Sequence, residues 1–514
     1  MKINHLSLHA LILNLLAIVL ILGCSDAELQ DKNYSRYPSN KHEEISPDTH
    51  LKITFGEVPK VGKSGTIKVY DASNDSLVDQ LDLSIPSGPT EYNKNPDAEY
   101  IKEPYEYATG IFTNANTKPG TPTGGALPTT DDYQLTIIGG FTDGFRFYPI
   151  IVHDSTAIIH LHHNLLSYNK TYYVLVDSTV LSLENDQFKG FYNKNDWQFS
   201  TRKKTPEFSK KELIVDDEGN GDFNTVQGAL DFIPDFNEDT ITIFIKNGIY
   251  EELIYFRNKS NIIIEGENRE NTIVQYANNE PFNPHPWNIK TNEWPGTFPS
   301  RRAAFAIDNC QNITLKNLTV KNTHKWQAEG LLINGDKIFI DNVTIVGDGD
   351  ALQTNGPAYF SNVKIDGGGD MILGRGPAFF QDCEFLSPGP FMWIRNTEKN
   401  HGNVFVDCSF KNTGDKDAVF ARTTDNNGSG YPYCEAVLIN SSLEGIDPIG
   451  WSIKGENTHS IHYWEYNSKD FSGNPINVDD RHPLSKQLTL EEDGEIIENY
   501  KNPAFVLDGW NPLQ

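Results

Sequence analysis

Two aspartates stand at matching places in the chain. Asp350 lies eight residues after Asn342 and Asp370 eight after Asn362, in the glycine-rich contexts Gly347-Asp348-Gly349-Asp350 and Gly367-Gly368-Gly369-Asp370. If Asn342 and Asn362 mark equivalent corners of a repeat, the two carboxylates stack at the parallel-strand spacing of roughly 5 Å. Stacked carboxylates cannot both ionise freely, so one is held as an acid while the other stays anionic. That division suits acyl chemistry with a nucleophile and a proton donor. Spacing alone leaves other readings open: a glycoside hydrolase with paired carboxylates, a calcium site, or plain turns. The glycines would remove side chains that cover the site and let a polymer approach the backbone.

The elements that must position this pair form a repeat. Short alternating strands end at Asn317, Asn342, Asn362, Asp382, Asp407 and Asn440, separated by 25, 20, 20, 25 and 33 residues. Such a period marks a solenoid whose coils stack their strands in parallel, with longer gaps as inserted loops. Asn and Asp suit the bends because a short polar side chain bonds local backbone and tolerates left-handed φ. Cys310, Cys383, Cys408 and Cys434 lack the paired spacings of a zinc site, and Cys383 and Cys408 are expected to stack, buried, in adjacent coils rather than form a disulfide.

Upstream, Leu51–Phe55, Thr66–Tyr70, Ala157–Leu161 and Thr171–Val176 alternate like strands of an antiparallel sandwich. The fold expected is all-β: a small antiparallel β-sandwich over 50–203, then a right-handed parallel β-helix over 212–514, joined by a charged linker from Arg202 to Lys211. Residues 24–49 are polar and read as a flexible linker. Residues 1–23 read as a signal peptide. The apolar run from Ala10 to Leu22 is too short for a comfortable membrane span, and Gly23-Cys24 is similar to a bacterial lipoprotein cleavage box. Lipid on Cys24 would then be the membrane tether, on an outer-membrane lipoprotein facing the periplasm or the cell surface.

The chain carries 43 basic and 70 acidic residues, a formal charge of −27. A nucleic-acid partner is therefore excluded, and a polyanionic substrate requires a groove locally less acidic than the whole.

The order of several short motifs resembles the pectin methylesterase (pectinesterase) family. They are Val215 to Gln227, Ile245 to Glu252, Ile262 to Gly266, Gln327-Ala328 with Leu331, Gly347 to Leu352, Asp370 to Gly374, and the closing Ile446 to Trp451 and Tyr463 to Tyr466. The resemblance implies a parallel β-helix, a monomeric esterase without cofactor or metal, and a pectic polysaccharide as partner. It makes Asp370 the nucleophile, Asp350 the acid and then base, Gln327 an oxyanion donor and Arg422 the arginine beside the nucleophile, with Arg375 the rival for that place. Two positions depart from the family. Gly349 replaces a second glutamine, and Thr423-Thr424 replace a Pro-Trp sugar platform, for which Trp393, Tyr431 or Trp451 are the candidate substitutes. The alternatives are an esterase for acetyl or methyl groups of another pectic or algal glycan, a non-catalytic glycan-binding lipoprotein, or a pectate lyase.

Overall fold

The computed structural model describes residues 34–91, 133–141, 144–284, 300–423, 431–455 and 458–513, with the backbone of two short strands at Tyr105–Glu106 and Ile289–Lys290. The leader, Cys24 and residues up to 33 lie outside the described residues. Among the described residues no helix is long and apolar enough to cross a membrane.

From Glu212 onward the chain winds as a parallel β-helix. One parallel sheet of eight short strands runs from Gly248–Glu251 to Ser442–Glu444, and a second of seventeen curls round the remaining faces. Register is strict: Ile338, Ala358, Ala378, Asn403 and Ala436 follow one another on successive coils. Inward residues alternate with outward ones and fill the tube with stacked rings, such as Phe360, Phe380 and Phe405, whose centroids lie 4.4 and 4.8 Å apart. The helix Val226–Phe232, buried throughout and capped by Thr225, plugs the first coil.

The expected corners are present and left-handed. Asn317, Asn342, Asn362, Asp382, Asp407 and Asn440 have φ between 52° and 58°. Their side chains bond from coil to coil: Asn342 Nδ2 donates to Asn317 Oδ1 at 2.9 Å, Asn362 to Asn342 at 3.1 Å, and Asn440 to Asp407 at 3.0 Å. Cys383 and Cys408 are adjacent, buried free thiols; Cys310 and Cys434 are each buried and free elsewhere in the tube. The helices Leu490–Tyr500 and Pro503–Val506 cover an outward apolar face formed by Tyr359, Phe379, Val404 and Val437.

The sandwich has two sheets around its own core, with Trp197 fully buried and its Nε1 donating to Pro38 O at 2.8 Å. One expectation needs correction. Residues 34–49 were expected to be a flexible linker, but Tyr34–Tyr37 and His42–Ile45 are edge strands, one on each sheet. Ser35, His42, Glu43 and Glu44 face water while Tyr34, Tyr37 and Ile45 pack inward, a pattern common at sheet edges. Among the described residues of 50–203 the strands pair with one another antiparallel, as expected, and the added edge strand His42–Ile45 runs parallel to Gln198–Thr201.

The sandwich is fastened to the β-helix. Asp48 Oδ2 accepts from Asn224 N, Thr225 N and Thr225 Oγ1 at 2.9, 2.8 and 2.7 Å, and Lys52 Nζ pairs with Asp217 at 3.0 Å. Arg202, at the head of the expected linker, donates to the carbonyls of Glu44 and Asp222.

Candidate active site

Leu352 pairs with Ile372 across adjacent coils, so Asp350 and Asp370, two residues before each, occupy equivalent places one coil apart. Both adopt left-handed backbone, φ 56° and 57°. Such a bend turns each carboxylate off the strand line, and Asp tolerates it better than most residues.

The two carboxylates have opposite surroundings. Arg422 Nε donates to Asp370 Oδ1 at 2.9 Å and Oδ2 at 3.2 Å, and a second guanidinium nitrogen also reaches Oδ2. A charge-assisted fork of this kind favours the ionised carboxylate. The Arg422 pKa is raised in return, chiefly by that hydrogen bond. Asp350 is buried, and burial pushes its carboxyl up to about 7. Arg302, 2.9 Å away, works against the rise, while the charges of Glu329 and Asp370 add to it.

Arg302 is itself buried among acids. Its Nε donates to Glu329 Oε1 at 2.9 Å, Glu280 lies 3.6 Å off, and Ser300 Oγ donates to the second Glu329 oxygen at 2.9 Å. One guanidinium thus faces three carboxylates, and burial raises both Asp350 and Glu329 despite it. This group was not foreseen: Arg302 and Glu329 lie 48 and 21 residues ahead of Asp350, with no motif connecting them.

Gln327 is carried on a tight turn against the Asp350 loop. Trp326 N donates to Asp348 Oδ2 at 3.0 Å, Ala328 and Asp348 exchange backbone bonds, and Gln327 itself is left-handed at φ 47°. The first Asp of Gly347-Asp348-Gly349-Asp350 is therefore a strut for the Gln327 turn. Gly349 has φ 64°, and a Cβ there would meet only Gln327 N at 3.6 Å and Gly369 O at 3.9 Å. Beside the two aspartates there is accordingly open space at Gly349, and likewise at Gly369, where a Cβ would meet nothing nearer than 3.6 Å.

The four expected site residues converge on this spot. Arg422 is the arginine at Asp370; Arg375 instead stands near buried Arg395 and lowers its pKa, the second cause after burial. Of the three aromatic substitutes, Trp451 is buried in the tube core and cannot face a sugar, and Tyr431 packs against that core. Trp393 is half-buried, with the guanidinium carbons of Arg422 and Arg395 4.8 and 5.0 Å from its ring. Trp326, 56% exposed beside Gln327, is the open aromatic face and was overlooked. Among the described residues no three His, Cys, Asp or Glu side chains converge as metal ligands would, and each aspartate is answered by an arginine.

The pectinesterase family model matches residues 212–481. Curated relatives include pectinesterase QRT1 of Arabidopsis thaliana, 30% identical over 55% of this chain and 75% of that protein. Probable pectinesterase 55 of the same plant is 27% identical over 55% and 78%. Among solved structures, carrot pectin methylesterase is similar at 21% identity and TM-score 0.48, covering 60% of this chain and 95% of that one. PemA from Erwinia chrysanthemi gives 19%, 0.44, 60% and 99%. The chain belongs to the pectinesterase family of carboxylic ester hydrolases.

Proposed function

We propose that the chain hydrolyses methyl esters of a galacturonan, with Asp370 as nucleophile and Asp350 as acid and base. The observation that carries this reading is the asymmetry of the pair: Asp370 is forked by Arg422, whereas Asp350 is buried with its carboxyl pushed up to about 7. At neutral pH Asp350 still holds a proton on a large fraction of molecules.

An Asp370 oxygen attacks the ester carbonyl, and Gln327 supplies a donor for the oxyanion. The carbon–methoxy bond breaks, the Asp350 proton passes to the leaving oxygen, and methanol departs. Water then attacks the acyl-enzyme, Asp350 takes its proton, and Asp370 is released as the carboxylate. Arg302, Arg395 and Arg422 offset the carboxylates around the site, leaving it less acidic than the chain's net charge of −27 would suggest, which suits a uronide backbone. The exposed Trp326 offers a face for sugar stacking.

A second reading, an ester on a more heavily decorated pectic glycan, is favoured by the open space at Gly349 and Gly369, where a Cβ would meet nothing nearer than 3.6 Å. Incubation with highly methylated pectin tests both. Methanol supports the first, acetate without methanol the second, and unsaturated uronides would count against any esterase.

A further inference from the structure

The segment that presents Arg302 lies outside the regular strands. Residues 300–304 run irregularly into the strand Phe305–Lys316, and three successive carbonyls there are taken by two side-chain amides. Asn278 Nδ2 donates to Arg301 O and Ala303 O, both at 2.8 Å, and Asn322 Nδ2 donates to Arg302 O at 3.0 Å.

Asn322 holds more than Arg302. Its Nδ2 also donates to Glu329 O at 2.8 Å, and its Oδ1 accepts from Asn278 N and His324 N, each at 3.1 Å. The full donor and acceptor capacity of the amide is thereby used, in a residue only 3% exposed. Carbonyls lie at one end of the amide and N–H groups at the other, so neither a carboxylate nor an apolar side chain of that size satisfies the site. The groups it bonds are those behind the proposed chemistry. Arg302 pairs with Asp350 at 2.9 Å, Glu329 pairs with Arg302, and His324 opens the turn that carries Gln327.

The bonds continue into the N-terminal module. Asn283 Nδ2 donates to Asn278 Oδ1 at 3.0 Å and to Arg146 O at 3.2 Å, and Asn283 Oδ1 accepts from Arg146 N at 2.8 Å. Asn279 Nδ2 donates to Thr90 O at 3.0 Å and to Lys325 O, on the Gln327 turn, at 3.1 Å. All three asparagines are buried.

We propose that Asn322 is a positioning residue of the esterase: it sets Arg302 against Asp350 and steadies the Gln327 turn, and through Asn278 and Asn283 it braces both on the N-terminal module. That module lies outside the family match over residues 212–481. This inference rests on the esterase reading above. All four Asn322 bonds go to backbone, so it acts through Arg302, whose charge lowers the Asp350 pKa against burial. Arg395 acts with Arg302, Glu329 and Asp370 act against it, and the Arg422 charge also meets Asp350. A loosened Arg302 therefore leaves Asp350 holding its proton to higher pH.

The test follows methanol release from methylated pectin across pH with full-length Asn322→Ala, its folding checked by a thermal melt. kcat is expected to fall about tenfold with KM changed by no more than about threefold. The alkaline limb of kcat/KM is expected to move to higher pH by about half a unit or more, which loss of stability alone would not do. A folded variant whose limb stays in place, or moves to lower pH, would overturn the positioning role and leave the esterase intact. Asn283→Ala should move the limb the same way by less, and an unmoved limb there would detach the module from Arg302. Should Asn322→Ala fail to fold, the Asn283→Ala limb decides. Absence of methanol with the unaltered protein would overturn the esterase reading and this role with it.

Discussion

Arg302 lies 2.9 Å from Asp350 and 2.9 Å from Glu329, so one buried guanidinium is shared by the carboxyl proposed as the acid and by a second, fully buried carboxyl. The competition for that cation helps keep Asp350 protonated, since the Glu329 charge raises the Asp350 pKa.

The alkaline limb of the rate profile should follow from this. Asp350 must begin the cycle protonated, so kcat/KM is expected to fall as pH rises through about 7. Glu329→Gln keeps the shape but removes a charge that raises the Asp350 pKa, and should move that limb to lower pH. An unmoved limb in a folded variant would show that Glu329 does not act on the acid.

Stability should carry the same signature. The Asp350 carboxyl sits at about 7 in the folded chain against an ordinary 3.8, so the folded state holds the proton more tightly and loses stability as pH rises between those values. Asp350→Asn removes that loss. Its melting temperature relative to wild type should rise between pH 5 and pH 8, by a few degrees for an effect of order a few kcal/mol. A difference that stays flat across that range would contradict the burial argument.

The assigned roles predict an order among variants. Asp370→Asn should abolish turnover with glycan binding nearly intact, because the change is isosteric. Asp350→Asn should be severe, Arg422→Ala less so at roughly 10²-fold for a group that orients and charges the nucleophile, and Arg375→Ala mild. Kinetics on methylated pectin reverse the arginine assignment if Arg375→Ala proves the more damaging.

Gln327 and Gly349 form one question. With no side chain at Gly349, Gln327→Ala should cost several kcal/mol of transition-state stabilisation. Gly349→Gln meets space but also φ 64°, and should lower stability by about 1 to 2 kcal/mol. If the space is shaped for a decorated sugar, the same change lowers activity on the true substrate; if only a donor is missing, it raises activity on methylated pectin. Steady-state rates beside a thermal melt separate strain from fit.

The likeness of Gly23-Cys24 to a lipoprotein cleavage box makes a prediction about the cell rather than the fold. The intact protein should sediment with membranes and incorporate labelled fatty acid, and Cys24→Ser should release it. A soluble, unlabelled native protein would show an ordinary secretory leader instead.

What the sequence determined by itself is whatever depends on local chemistry repeated at a period. Asn and Asp at intervals of 20 to 33 residues marked the corners because their side chains satisfy a left-handed bend, and all six have φ between 52° and 58°. The same spacing put Asp350 and Asp370 on neighbouring coils. Residues 34–49 misled because edge strands are as polar as linkers, and only the partner sheets reveal that Tyr34, Tyr37 and Ile45 point inward. Tertiary structure alone decided the rest. Arg302 and Glu329 meet Asp350 through coil stacking, Trp451 turns into the tube while Trp326 turns out, and Phe145 crosses from another module to lie on Tyr255. Such contacts join residues tens to more than a hundred positions apart, and no local preference encodes which side chains a folded coil will bring face to face.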